Sequence, residues 1–241
     1  MSVTAAGSVS QGGAQSLPLV TRVLPHALVV GLAAASFIVY CVLLADLEPP
    51  VSGFSIPWWS LILVFFVTEA FPVHVHFGTE AHSLSLGELA LIVGLYLAAP
   101  DELIVAQLLG AAVALLIVRQ QRLLTASYNL AVFTLGTCLA LLCFHGFLLF
   151  GEAYGPAGWA GAIFGAAAYA GAGLVLVTLR ARMVSGRPLT AQPRMLAAAA
   201  AGGCLASASL AVCAMQLAQH DVRSLWVMIV PVTATAIALT T

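Results

Sequence analysis

Long apolar runs separated by short polar breaks make up almost the whole chain. A run of about 18 or more apolar residues is long enough to cross a bilayer as a helix. Residues 1–20 carry no charge and are rich in Ser, Gly, Gln and Ala, so a disordered tail is expected over 1–22 and a membrane domain over 23–241. The first run, Ala27 to Ala45, is long for a signal-peptide core and has no convincing cleavage site, so it reads as a retained helix. The break DLEPPVSGFSIP follows, and Trp58-Trp59 open a second helix that ends near Pro72. The third segment, Leu86 to Ala99, has 14 residues, which is roughly 21 Å of helix. Pro100-Asp101 forms a corner, with Asp101 the expected N-cap. Further segments are expected over Glu102–Val118, Ala126–Phe150, Ala157–Leu179, Met195–Ala218 and Leu225 to Thr241. The expected fold class is all-α, a polytopic transmembrane helical bundle of eight segments. The third and fourth can alternatively form a short hairpin that does not fully cross.

The arginines orient this arrangement, because Arg and Lys are enriched in cytoplasmic loops. With the N-terminus inside, Arg22, Arg119, Arg122, Arg180, Arg182, Arg187 and Arg194 are cytoplasmic and only Arg223 is outside. Trp58, Trp59, Trp159 and Trp226 then all sit where helices enter from the outer face, as an interfacial aromatic belt would. Both termini are expected in the cytoplasm. The chain ends at Leu239-Thr240-Thr241 without a polar tail, so a cytoplasmic domain is expected to follow.

Composition agrees. The chain is 62% hydrophobic and 7% charged, with mean hydropathy +1.07, whereas soluble domains carry about 25% charged residues. A net charge of −1 gives no sign of a nucleic-acid partner. The five cysteines all fall in apolar runs without metal spacing, so they form no disulfide framework. No cofactor is expected.

One stretch departs from the apolar background. Within Glu69–Pro100 lie His74, His76 and His82 together with Glu69, Glu80 and Glu88. Ionisable groups at membrane depth are costly and mark function by default. Three readings are open. His74 and His76 would point the same way on extended backbone, and with His82 and Glu80 or Glu88 could surround a metal, although the spacing matches no standard zinc pattern. The stretch could instead form a ligand or proton pocket where backbone leaves the helix. The plainest reading is a cytoplasmic loop lying at the interface, with Ser85-Leu86-Gly87-Glu88 as a capping box for the third segment. Glu69 lies in an otherwise uncharged apolar segment and needs a partner or a proton. Candidates are the loop histidines, Arg119 and Arg122, while Tyr128 and Asn129 open the fifth segment from the same side. The candidate ligand-binding set is Glu69, His74, His76, Glu80, His82, Glu88, Arg119, Arg122 and Asn129. Small residues supply packing faces: Gly161 and Gly165, the Ala106-Gly110-Ala114 stripe, and Gly87 with Gly94.

The order Glu69-Ala70-Phe71-Pro72-Val73, Ser83 to Ala90, Gly94, Pro100, Arg119 to Arg122 and Tyr128 to Phe133 carries a resemblance. It is similar to the multi-helix membrane sensor regions that precede GGDEF, EAL and HD-GYP domains of bacterial cyclic-di-GMP signalling proteins, notably actinobacterial ones, and some histidine kinases. The likeness covers residues 60–140 or thereabouts. That family often carries a basic residue or Phe before the Asn of the fifth helix, where this chain has Ser127 and Tyr128. The resemblance implies sensing or anchoring in the bacterial cell membrane for a cytoplasmic output domain in cis, and it leaves room for a homodimer. No GGDEF, EAL or HD-GYP motif occurs in the chain, so no catalysis by these residues is expected. The alternative function is a small transporter or a transporter's substrate-binding subunit, which would show polar residues near the midplane of several helices. No G-x-S-x-G, H-E-x-x-H or paired intramembrane Asp points to a hydrolase.

Overall fold

A computed structural model describes residues 19–50, 57–71, 73–77, 80–84, 87–185 and 193–220. Helix α1, Leu19–Val39, continues into a π-helical turn at Tyr40–Leu44. It begins before Arg22, and residues 1–18 of the expected tail lie outside the described residues. Helix α2 is Trp58–Ala70 and α3 is Gly87–Leu97. Helix α4, Pro100–Val113, continues as a π-helical turn at Ala114–Val118. Then come α5, Leu123–Leu148, α6, Pro156–Ser185, and α7, Pro193–His220. The eighth expected segment lies outside the described residues.

Among the described residues, four helices are long and apolar enough to cross a bilayer: Val23–Leu44, Pro100–Val118, Leu123–Leu148 and Pro156–Arg180. Trp58–Ala70, Gly87–Leu97 and Cys204–Gln219 are apolar but shorter. A hairpin of the third and fourth segments is one alternative from sequence; the short helices next to each other along the chain are α2 and α3, of 13 and 11 residues. Their axes are roughly 20 Å and 16 Å long. The π-helical turn lengthens the fourth segment to 19 residues, enough to cross.

In the stretch expected as an interfacial loop, the described residues form two paired strands. Strand β1, Val73–Phe77, pairs antiparallel with β2, Glu80–Leu84, in the register His74↔Ser83, Val75↔His82, His76↔Ala81 and Phe77↔Glu80. Alternating Val-His-Val-His suits a strand better than a loop, since β-branched residues at every second position fit a pleated surface.

Pro100 begins α4 because its fixed φ and missing N–H suit the first helical position. This places the N-cap at Ala99, not at the expected Asp101. The Ala99 N–H donates to Glu102 Oε2 at 3.5 Å, and Asp101 sits in the first turn, where an acid favours the helix dipole.

Small residues bring the helices into contact. A Cβ at Gly161 would lie 3.1 Å from the Phe144 carbonyl oxygen, and one at Gly165 3.0 Å from that of Ala140. The GxxxG pair is thus spent on α5 within the chain. Gly110 of α4 meets the backbone of α2 at Ile62 and Phe66. The core gathers Phe65, Leu91, Tyr96, Leu103, Leu141, Phe144 and Met215. Outward faces stay apolar, with Val30, Phe37, Phe164 and Val175 exposed, as lipid-facing positions require.

Candidate functional site

Helix α2 stops early because Pro72 lacks an N–H and its ring disfavours helical backbone at Phe71, which takes φ −120° and ψ 68°. Helix α3 begins only at Gly87. The break puts Glu69 in the last turn of α2 and Glu88 in the first turn of α3, and both carboxyls make polar contacts inside the bundle.

Glu69 is 4% exposed. Arg119 Nη1 lies 4.0 Å from its Oε2. The ion pair joins the residues the sequence singled out, and the turn after α4 makes it feasible. Arg119 N–H reaches back to the Ala114 carbonyl in the wide π turn, and Gln120 turns the chain through φ 46°.

Glu88 meets α7. Ser207 Oγ lies 2.5 Å from Glu88 Oε2 and 3.0 Å from the Cys204 carbonyl oxygen. A serine hydroxyl has one proton to donate. With an ionised Glu88, that proton serves one acceptor and leaves the other. With a protonated Glu88, the carboxyl donates to Ser207 and Ser207 donates to Cys204, so both contacts are made. The proton on Glu88 therefore decides which way the Ser207 hydroxyl points. The expected cap with Ser85 falls on a residue outside the described ones.

Three further helices add uncharged polar groups. Gln107 of α4 is 2% exposed and Thr137 of α5 fully buried. Thr137 Oγ1 donates to Gln107 Oε1 in a short hydrogen bond. Gln107 Nε2 donates to the Tyr169 hydroxyl of α6 at 3.1 Å. The Tyr169 ring lies against α5, where a Cβ at Gly136 would sit 2.7 Å from Cδ2, and it stacks on Phe133 with centroids 6.4 Å apart. Donation from Gln107 leaves the Tyr169 O–H proton free to turn elsewhere. Six helices thus contribute polar side chains to these contacts in the bundle.

The other expected residues go elsewhere. Asn129 Nδ2 donates to Gln121 Oε1 at 2.9 Å, tying α5 to the preceding corner. Arg122 is the exposed N-cap of α5. His74, His76, Glu80 and His82 lie on the paired strands. In their register His74 pairs with Ser83, His76 with Ala81, Val75 with His82 and Phe77 with Glu80. Gln107, Thr137, Tyr169 and Ser207 were missed from sequence. Their signal is no more than an uncharged polar residue within an apolar segment, and α5 and α7 carry others such as Thr134 and Ser209.

No family model, curated protein or solved structure matches the chain.

Proposed function

We propose that this chain is the membrane-embedded sensory and anchoring module of a bacterial signal-transduction protein. It sits in the cell membrane in eight segments with both termini cytoplasmic, and relays the state of its interior polar contacts to a cytoplasmic output domain in cis. The resemblance of residues 60–140 to sensor regions of cyclic-di-GMP proteins and kinases supports that class of output. The observation that carries the reading is the Glu88–Ser207 contact. A proton, or a ligand competing for Glu88, changes what holds α3 to α7, and an element with two arrangements is what a relay needs. The test is output activity of the protein in membranes, with its output domain in frame, across stimulus or pH. Glu88→Gln and Ser207→Ala should each flatten the response while leaving basal insertion intact. An unchanged response in both would refute the relay.

A second reading, a small transporter or transporter substrate-binding subunit, is favoured by polar side chains contributed from six helices. Proton flux into proteoliposomes separates the two. A transporter gives flux that Glu88→Gln abolishes; a sensor gives none above empty vesicles.

A further inference from the structure

Away from the interior contacts, a further polar constellation lies where the corner before α5 meets the last turns of α6. Arg180 is fixed there at two points. Its Nη2 donates to Thr125 Oγ1 at 3.1 Å, and its guanidinium carbon stands 4.7 Å from the centroid of the Tyr128 ring. Tyr128 is itself held, its hydroxyl donating to the Leu176 carbonyl at 2.6 Å, one turn before Arg180. Arg122, the N-cap of α5, precedes Thr125 by one turn, and its carbonyl accepts the N–H groups of Thr125 and Ala126 at 2.8 and 2.9 Å. The Arg180 guanidinium is therefore held against the first turn of α5 at Thr125, three residues along the chain from Arg122. Among the described residues no carboxylate lies within ion-pair distance of either one, and the first turn of α5 contains no acid. The N–H groups of Leu123 and Leu124, ahead of Thr125, have no preceding turn of α5 to bond to. Among the described residues one donor of Arg180 is used, and a guanidinium has five.

Two arginines and a helix N-terminus without a compensating acid suit a phosphate oxygen group. The surroundings identify its source. Ile117, Val118, Leu123 and Leu179 are exposed around this corner, with Leu123 74% exposed and Ile117 68%. A soluble anion has no use for that apolar rim, whereas acyl chains lie along it. The geometry points to a binding site for the phosphate of an anionic phospholipid headgroup between Arg122 and Arg180, with the acyl chains over Leu123 and its apolar neighbours. This goes beyond the relay and stands on different residues. It depends only on the bundle lying in a bilayer.

Native mass spectrometry of the delipidated full chain in a neutral detergent tests it, with phosphatidylglycerol titrated against phosphatidylcholine. One phosphatidylglycerol should bind well ahead of phosphatidylcholine. A basic residue near an anionic headgroup contributes enough that losing both should weaken phosphatidylglycerol binding roughly tenfold to thirtyfold in Arg122→Gln/Arg180→Gln. Arg180 packs on Tyr128, so helicity by circular dichroism is checked in that variant. Arg122→Gln, exposed and outside the packing, should lose part of the preference alone. Equal binding of the two lipids by the parent would overturn the site. So would an undiminished preference in Arg122→Gln, or an equal loss in Arg182→Gln, which would mean diffuse charge. Displacement of the lipid by millimolar inorganic phosphate would overturn the headgroup assignment in favour of a free-phosphate site.

Discussion

Gly110→Ala should destabilise the bundle even though alanine is the better helix former. The added Cβ would lie 2.6 Å from the Ile62 carbonyl oxygen, 2.8 Å from Phe65 Cβ and 2.9 Å from the Phe66 nitrogen. Two of these atoms are backbone, so no rotamer change relieves the clash. Helix α2 must retreat from α4 by several tenths of an ångström. Overpacking of this kind costs about 1–3 kcal/mol. Against it stands the helix-propensity gain of Gly→Ala, about 1 kcal/mol. The net effect is a loss of up to about 2 kcal/mol. Gly171→Ala supplies the control, because nothing lies within 4 Å of a Cβ there. It collects the propensity gain alone, so the two variants should differ in stability by about 1–3 kcal/mol. Both are measured by denaturant-induced unfolding in the same micelles. Retreat of α2 also moves Glu69, which stands one turn beyond Phe65, away from Arg119. Equal stabilities for Gly110→Ala and Gly171→Ala would refute the close approach of α2 to α4.

Further outcomes follow from other residues. Tyr96 is fully buried and its hydroxyl has no hydrogen-bond partner among the described residues. Tyr96→Phe keeps the edge contact with Phe144 and the stack on Tyr154, and should raise stability by about 1 kcal/mol; a loss would mean the hydroxyl has a partner. Glu69→Gln should give an inserted, folded protein whose output no longer responds to signal, and Glu69→Leu should do the same. Intact signalling with higher thermal stability in Glu69→Leu would make Glu69 a packing residue. Reporter fusions near Ser52 or Glu152 should report the outside and one near Arg187 the cytoplasm, and an outside signal at Arg187 would reverse the orientation.

Hydrophobic periodicity and punctuation carry most of the element order. Trp58-Trp59, Pro72, the Pro100 corner and the polar break before α5 each mark a helix end, because proline and polar runs end apolar helices for local reasons. Where local signals conflict, the sequence misleads. Asp101 is a good N-cap by type, yet Pro100 claims the first helical position and moves the cap to Ala99. The histidine stretch is polar enough to read as a loop, and only cross-strand pairing makes it two strands. Glu69 with Arg119 was legible, since a buried charge in an uncharged helix needs a partner and few were within reach. Gln107, Thr137, Tyr169 and Ser207 were not. Each is an uncharged polar residue among several such positions or in a mostly apolar segment, and 30 residues separate Gln107 from Thr137 in sequence. Tertiary packing alone brings them to their partners.

The central claim is that the charge on Glu88 sets how α7 sits in the bundle. Two native cysteines report this directly, because Cys41 at the end of α1 and Cys213 in α7 are exposed while Cys138 and Cys204 are buried. With half-exposed Cys143 replaced by Ala, spin labels on Cys41 and Cys213 give the distance between α1 and α7 in nanodiscs by double electron–electron resonance. Glu88→Gln carries the neutral side chain of the protonated state. It should move the distance distribution by about 1–2 Å, the scale of helix shifts in switching bundles, while Asp101→Asn, at an exposed position, leaves it in place. Superimposable distributions for the parent and Glu88→Gln would contradict the account.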